Sequence, residues 1–101
     1  MVNLENPENK IERKLCEGVR RLGGRAYKLV SPGCAGLPDR LICLPNGSVF
    51  FTELKTEKGR LSPQQRHKVD ELSKMRQQVR VLYGERDVEE FLIFLRGWLN
   101  G

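Results

Sequence analysis

Apolar residues recur at Ile11, Leu15, Val19 and Leu22, the three-to-four spacing that marks one face of a helix. Asn6 can cap that helix, Pro7 suits its first turn and Gly23-Gly24 can stop it, so the pattern predicts a helix over about 7–22. The period then drops to two over "RAYKLV" (25–30), a strand, and "SPGCAGLP" (31–38) breaks it with two glycines and two prolines. Two more apolar runs follow, on either side of Pro45-Asn46-Gly47, and they predict a hairpin. The helical period returns over 61–78, with Ser62 as cap, Pro63 first and Gln65 at the capping-box position. Val69, Leu72 and then Met75 or Arg76 would form its inner face. "VRVLY" (79–83) predicts a fourth strand, and a capping box from Asp87 to Glu90 opens a last helix through "VEEFLIFLRGWL". The order αβββαβα describes one α/β or α+β mixed-sheet domain over residues 1–101, with the fourth strand able to join by a parallel crossover.

The hairpin register decides what the acidic residues can do, because a slip of one residue turns every side chain to the other face. A two-residue Asn46-Gly47 turn would set Asp39 opposite Leu54, pointing away from Glu53 and Lys55. A three-residue loop closed by Leu44 and Ser48 pairs 43 with 49, 41 with 51 and, extrapolated, 39 with 53. The second reading is preferred: Pro45 has no donor for a ladder bond, and Gly47 suits the left-handed position of a type I turn with a bulge. Asp39, Glu53 and Lys55 then share one face at one end of the hairpin.

Two carboxylates opposed at about 5 Å repel by a few kcal/mol where solvent screens them poorly. A divalent cation would offset that cost, since Mg²⁺ takes one or two carboxylates together with waters and phosphate oxygens. Lys55 could orient a water or neutralise charge on a phosphate; alternatively it forms a surface ion pair with Glu53, which would contribute little.

Composition narrows the class. The 101 residues carry 18 Lys and Arg against 13 Asp and Glu, a net charge of +5 that favours a polyanionic partner. Cys16, Cys34 and Cys43 show no Cys-x-x-Cys spacing and the chain has one histidine, which argues against structural zinc and for reduced thiols. No apolar run approaches the roughly 18–20 residues of a membrane span, and Met1 to Lys10 lack a signal-peptide core, so the expectation is a cytoplasmic protein.

With these residues in hand a resemblance becomes visible. "PD" (38–39) followed after a hairpin by "ELK" (53–55) resembles the PD-(D/E)XK nuclease motif. More closely, "IERKL" (11–15), "GGRAYKLVSPGCAGLPDRL" (23–41), "FFTELKTEKGRLSPQQ" (50–65) and "VRVL" (79–82) resemble the VRR-NUC group of virus-type replication-repair nucleases, in family order. The resemblance implies a restriction-endonuclease-like αβββαβ core with an extra C-terminal helix, and Mg²⁺- or Mn²⁺-dependent hydrolysis of DNA phosphodiesters. It implies Asp39, Glu53 and the Leu54 carbonyl as metal ligands, Lys55 as the catalytic lysine, Glu12 as the first-helix glutamate and Gln65 as a further site residue. Stand-alone members of the group look like dimeric resolvases of four-way junctions, which implies branched DNA as partner. The other readings are a flap- or end-directed nuclease and a basic nucleic-acid-binding module that does not cut.

Each candidate has a plainer reading. Glu12 could be a solvated helix glutamate, with Glu17 the alternative site residue, and Gln65 could serve only the capping box. Gly33 and Gly36 could approach a phosphate but more simply permit the turn. Lys28 and Arg40 could touch DNA phosphates or lie on a solvated face. His67 falls on the opposite side of its helix from Val69 and Leu72, which disfavours catalysis, and Tyr27 reads as packing. On the last helix Val88, Phe91, Leu92 and Leu95 should face the sheet, leaving Phe94 and Trp98 in need of cover and predicting a homodimer through this helix.

Overall fold

The computed structural model describes residues 5–101. Three helices and four strands follow one another as α1 (Pro7–Arg21), β1 (Arg25–Lys28), β2 (Arg40–Cys43), β3 (Val49–Lys55), α2 (Pro63–Lys74), β4 (Val79–Tyr83) and α3 (Gly84–Asn100). The sheet order is β1-β2-β3-β4. The first three strands are antiparallel neighbours, and β4 lies parallel to β3 after the α2 crossover. This is the predicted mixed sheet, αβββαβ with an added helix.

The hairpin adopts the three-residue loop. Leu41 faces Phe51 and Cys43 faces Val49. The Leu44 amide donates to the Ser48 carbonyl at 2.9 Å, the Gly47 amide to the Leu44 carbonyl at 3.0 Å, and Gly47 has φ 87°. A residue with a Cβ would be strained there, as expected of the left-handed position in this turn.

Side-chain alternation divides the sheet. Phe50 and Thr52 are fully buried, and with Ile42 and Leu82 they face α1 and α3, which supply Leu15, Val19, Val88 and Leu95 to the same core. Phe51, Glu53 and Lys55 therefore point to the opposite face, where α2 begins. Phe50 sits at the centre, with the Phe91 ring meeting it edge to face at 5.6 Å. Burying such a ring contributes about 2–3 kcal/mol.

Helix ends follow their caps. The Asn6 side chain accepts from the Asn9 amide at 2.8 Å, and the Gly23 and Gly24 amides close α1 on the Arg20 and Val19 carbonyls. In α2 the same closure occurs without glycine: Arg76, at φ 62°, donates to Ser73, and Gln77 donates to Leu72. The helix thus ends four residues before the predicted 78, and Met75 is exposed rather than on the inner face; Leu72 is the buried residue of this helix. The last helix starts at Gly84, before the expected box. The Asp87 carboxylate accepts from the Tyr83 amide at 2.8 Å, so it closes the helix start backwards and does not pair forward with Glu90.

On α3, Val88, Phe91 and Leu95 are buried and Leu92 is half-buried, as its spacing predicts. Phe94 and Trp98 gain part of their cover within the chain. Both rings stand edge-on to Phe50, the Arg80 guanidinium lies 5.1 Å from the Phe94 centroid, and Trp98 Nε1 donates to Ser48 Oγ at 2.8 Å. They remain about 40% exposed, with Ile93 beside them more so. No helix among the described residues is long and apolar enough to cross a membrane, and the three cysteines are unpaired.

Candidate active site

The hairpin gathers the candidate residues at the end away from its turn. Asp39 stands immediately before β2, following the fully buried Pro38. Its carbonyl accepts from the Leu29 amide at 2.9 Å, which ties it to the end of β1. Its Oδ1 accepts from the Leu54 amide at 3.4 Å, so the carboxylate leans across onto β3. Glu53 is 5% exposed there, and Lys55 Nζ lies 3.6 Å from Glu53 Oε2. Lys55 is itself mostly buried, so the pair is not the loosely held surface bridge considered from the sequence.

Burial pushes both carboxyls above their ordinary pKa values, since desolvation penalises the charged forms. For Glu53 the neighbouring Asp39 charge adds to the rise, and Lys55 opposes it. For Asp39 the Leu54 amide and, more weakly, Lys55 and Lys28 pull the other way. Two desolvated carboxylates sharing one ammonium leave negative charge that a cation would compensate, and this chemistry fits a divalent metal.

Gln65 makes the capping box and also reaches Glu53. Its Oε1 accepts from the Ser62 amide at 2.9 Å while its own amide donates to Ser62 Oγ, which is the full capping box. Its Nε2 is then free to donate to Glu53 Oε2 at 3.3 Å. The helix cap and the site acid are thus held by one side chain. Gly36 seats this turn: at φ 85°, it packs so closely that a Cβ would lie 2.4 Å from the Gln64 carbonyl oxygen. Gly36 is thus a close-approach glycine, and Gly33 has open space around it.

Beside Asp39 and Lys55 lies a cavity of about 370 Å³, lined also by Glu8, Glu12, Leu54 and Arg60. Glu12 therefore borders the site, whereas Glu17 pairs with Arg13 at 3.7 Å and lines a different groove. Glu12 is also engaged by Arg40, whose Nη2 contacts Glu12 Oε1. Among the described residues no three His, Cys, Asp or Glu side chains converge tightly enough to cage a metal; the acids form a pair, with Glu12 across the cavity. Arg40 does not lie on a solvated face, since its side chain is only 13% exposed. Lys28 is exposed and near enough to bias Asp39. His67 is exposed and pairs with Glu71, away from the acids, and Tyr27 is exposed rather than packed. Arg60 and the role of Arg40 escape sequence reasoning. Arg40 had one signal, its place next to Asp39 on a strand, which sends it to the helix-covered face.

A four-stranded mixed sheet that gathers Asp39, Glu53 and Lys55 at one end defines a nuclease fold of the PD-(D/E)XK kind. The sequence matches the VRR-NUC domain over residues 3–86, and the chain belongs to the VRR-NUC family. It is 45% identical over 75 residues to "Putative nuclease p44" of Acyrthosiphon pisum secondary endosymbiont phage 1, covering 74% of this chain and 81% of that protein. It is also similar to a solved VRR_NUC domain, with a TM-score of 0.82 and 28% identity, over 87% of this chain and 96% of the other. The fold and family are those of a nuclease.

Proposed function

We propose that this protein is a metal-dependent, structure-selective DNA endonuclease that resolves branched DNA such as four-way junctions. The observation that carries the reading is the buried Glu53 carboxyl, with Lys55 Nζ 3.6 Å from it, on the same sheet face as the half-buried Asp39, where Asp39 and Lys55 line a cavity. Asp39, Glu53, the Leu54 carbonyl and Glu12 would hold one or two Mg²⁺ or Mn²⁺ ions. Bound there, a divalent ion would supply a water of lowered pKa and polarise the phosphate. Lys55 orients the attacking water or neutralises charge building on the phosphate as the water oxygen bonds to phosphorus and one phosphate–sugar P–O bond breaks. Gln65 would hold the Glu53 carboxylate in place through its Nε2 hydrogen bond to Oε2. The net charge of +5 supplies affinity for the DNA backbone that is independent of sequence and falls steeply with salt. The setting we assign is the cytoplasm of a bacterial cell or phage-infected host.

The test compares cleavage of four-way junctions, flaps, duplex and single strands, with Mg²⁺ and with chelator, alongside a Lys55→Ala preparation as a control for contamination. Preferential, chelator-sensitive junction cleavage is expected. Preferred cutting of flaps or ends would replace the junction assignment, and salt-sensitive binding without product would replace catalysis by binding.

The assembly that presents two such sites to two strands is a homodimer through α3, where Ile93, Phe94 and Trp98 leave apolar surface exposed. Sedimentation at micromolar concentration should give twice the 11.6 kDa chain mass. Phe94→Asp should return it to the chain mass with an unchanged circular-dichroism spectrum. A wild-type protein already at 11.6 kDa would end the dimer assignment.

A further inference from the structure

We infer that Arg40 is a positioning residue that fixes the Glu12 carboxylate at the edge of the acidic cavity. The inference rests on Glu12 being a metal ligand, as proposed above, and adds how that ligand is held.

The sequence sets up the arrangement. Asp39 and Arg40 are consecutive where β2 begins, so their side chains leave the sheet on opposite sides. Asp39 turns to the site, and Arg40 goes beneath α1 into a space where its side chain is 13% exposed. Burial lowers the pKa of the guanidinium, but an arginine stays charged throughout the accessible pH range, so it must find partners. It finds two. Nη1 donates to the Ala26 carbonyl of β1 at 3.1 Å, and Nη2 contacts Glu12 Oε1. Among the described residues Glu12 is the carboxylate within ion-pair reach of Arg40.

The planar fork matters here. One arm is fixed on the backbone of β1, so the direction of the other arm is fixed too, and with it the position of Glu12. Glu12 would otherwise be a partly exposed helix side chain with several rotamers open to it. Holding Oε1 leaves the second oxygen for the cavity that Glu12 lines. The same bridge links α1 to β2 and β1 on the side of the sheet opposite Glu53, so it sets the spacing between the helix and the acid pair. Residues that orient a metal ligand in this way affect metal affinity by about 10–100-fold when removed.

The experiment measures Mn²⁺ binding by calorimetry, and the Mg²⁺ concentration for half-maximal cleavage, in wild type, Arg40→Met, Arg40→Lys, Glu12→Gln and the Arg40→Met/Glu12→Gln double variant. Arg40→Met is expected to weaken Mn²⁺ binding about tenfold or more and to raise the Mg²⁺ requirement in parallel, with much of the rate recovered at high Mg²⁺. Arg40→Lys keeps the charge without the fork and should lie between the two; it also serves if the Met variant does not fold. The double variant should bind Mn²⁺ no more weakly than Glu12→Gln alone, because Arg40 acts through Glu12. Unchanged metal affinity in Arg40→Met or Arg40→Lys, with only a lowered melting temperature, would reduce Arg40 to a structural brace and overturn the inference, as would additive losses in the double variant. Unchanged metal affinity in Glu12→Gln would instead remove the ligand assignment on which it stands.

Discussion

Asp39→Asn is expected to abolish cleavage while raising the melting temperature of the metal-free protein. Loss of a carboxylate from the proposed metal site would remove several kcal/mol of charge stabilisation from the reaction, about 10³-fold or more in rate. Asparagine keeps the carbonyl oxygen that accepts from the Leu54 amide, so the local backbone has no reason to move. The stability gain follows from the direction of the pKa shifts. Asp39 and Glu53 both hold their protons more tightly when folded than when unfolded. Such a group contributes stability that is complete below the unfolded pKa and lost as pH rises through the folded one. The metal-free wild type should therefore lose stability as pH climbs from the ordinary carboxylate range, and Asp39→Asn should lose less. Divalent metal should reverse the loss in wild type and have little effect on the variant. Thermal melts across pH, with and without Mg²⁺, check each part. Wild-type cleavage rates, or a variant that melts lower than wild type at neutral pH without metal, would sink the assignment of the acid pair. Lys55→Ala should likewise fold and lose activity, through the role at the phosphate proposed for it.

Gly36→Ala is the second large effect expected, and it runs through the backbone. At φ 85°, an alanine sits in a region that costs about 1–2 kcal/mol for a residue with a Cβ. The new methyl would also lie 2.4 Å from the Gln64 carbonyl oxygen and 3.0 Å from the Gln65 amide, both backbone atoms at the start of α2. Relieving such overlap adds roughly 1–3 kcal/mol. Because Gln65 bridges Ser62 and Glu53, pushing the first turn of α2 away also loosens the site acid. The variant should be destabilised by roughly 2–5 kcal/mol in denaturant titrations and lose activity even where it remains folded. Gly33→Ala, with open space around it, is the matched control and should have little effect. Equal stability of the two variants would refute the close approach.

Most of the fold and the acid pair could be read in the sequence because they depend on local rules. The hairpin register followed from one proline and one glycine, and α1 from an apolar stripe with caps at both ends. What escaped depended on the chain meeting itself elsewhere. Spacing overruns the end of α2 because Met75 keeps the apolar period and no glycine marks the stop; Arg76 takes the left-handed position instead. Spacing places the start of α3 late because Asp87 reaches backwards to Tyr83, which a sequence pattern does not distinguish from a forward box. The Arg40–Glu12 contact needs α1 lying against the first strands, and no local pattern encodes it. Gln65 fell between these cases: its cap was legible, and its bond to Glu53 came from the path of the crossover.

The three-residue bend joins the two acids through one short loop. Asp39 and Glu53 lie on the two arms of one ribbon, so closing a single short loop brings them level, on the microsecond timescale of isolated hairpins. Gln65 and Glu12 come from helices outside the ribbon, so they join the site only where those helices dock. Bringing the two acids level is thus part of closing the ribbon itself, and acid or dissolved cations should ease that closure by softening their repulsion.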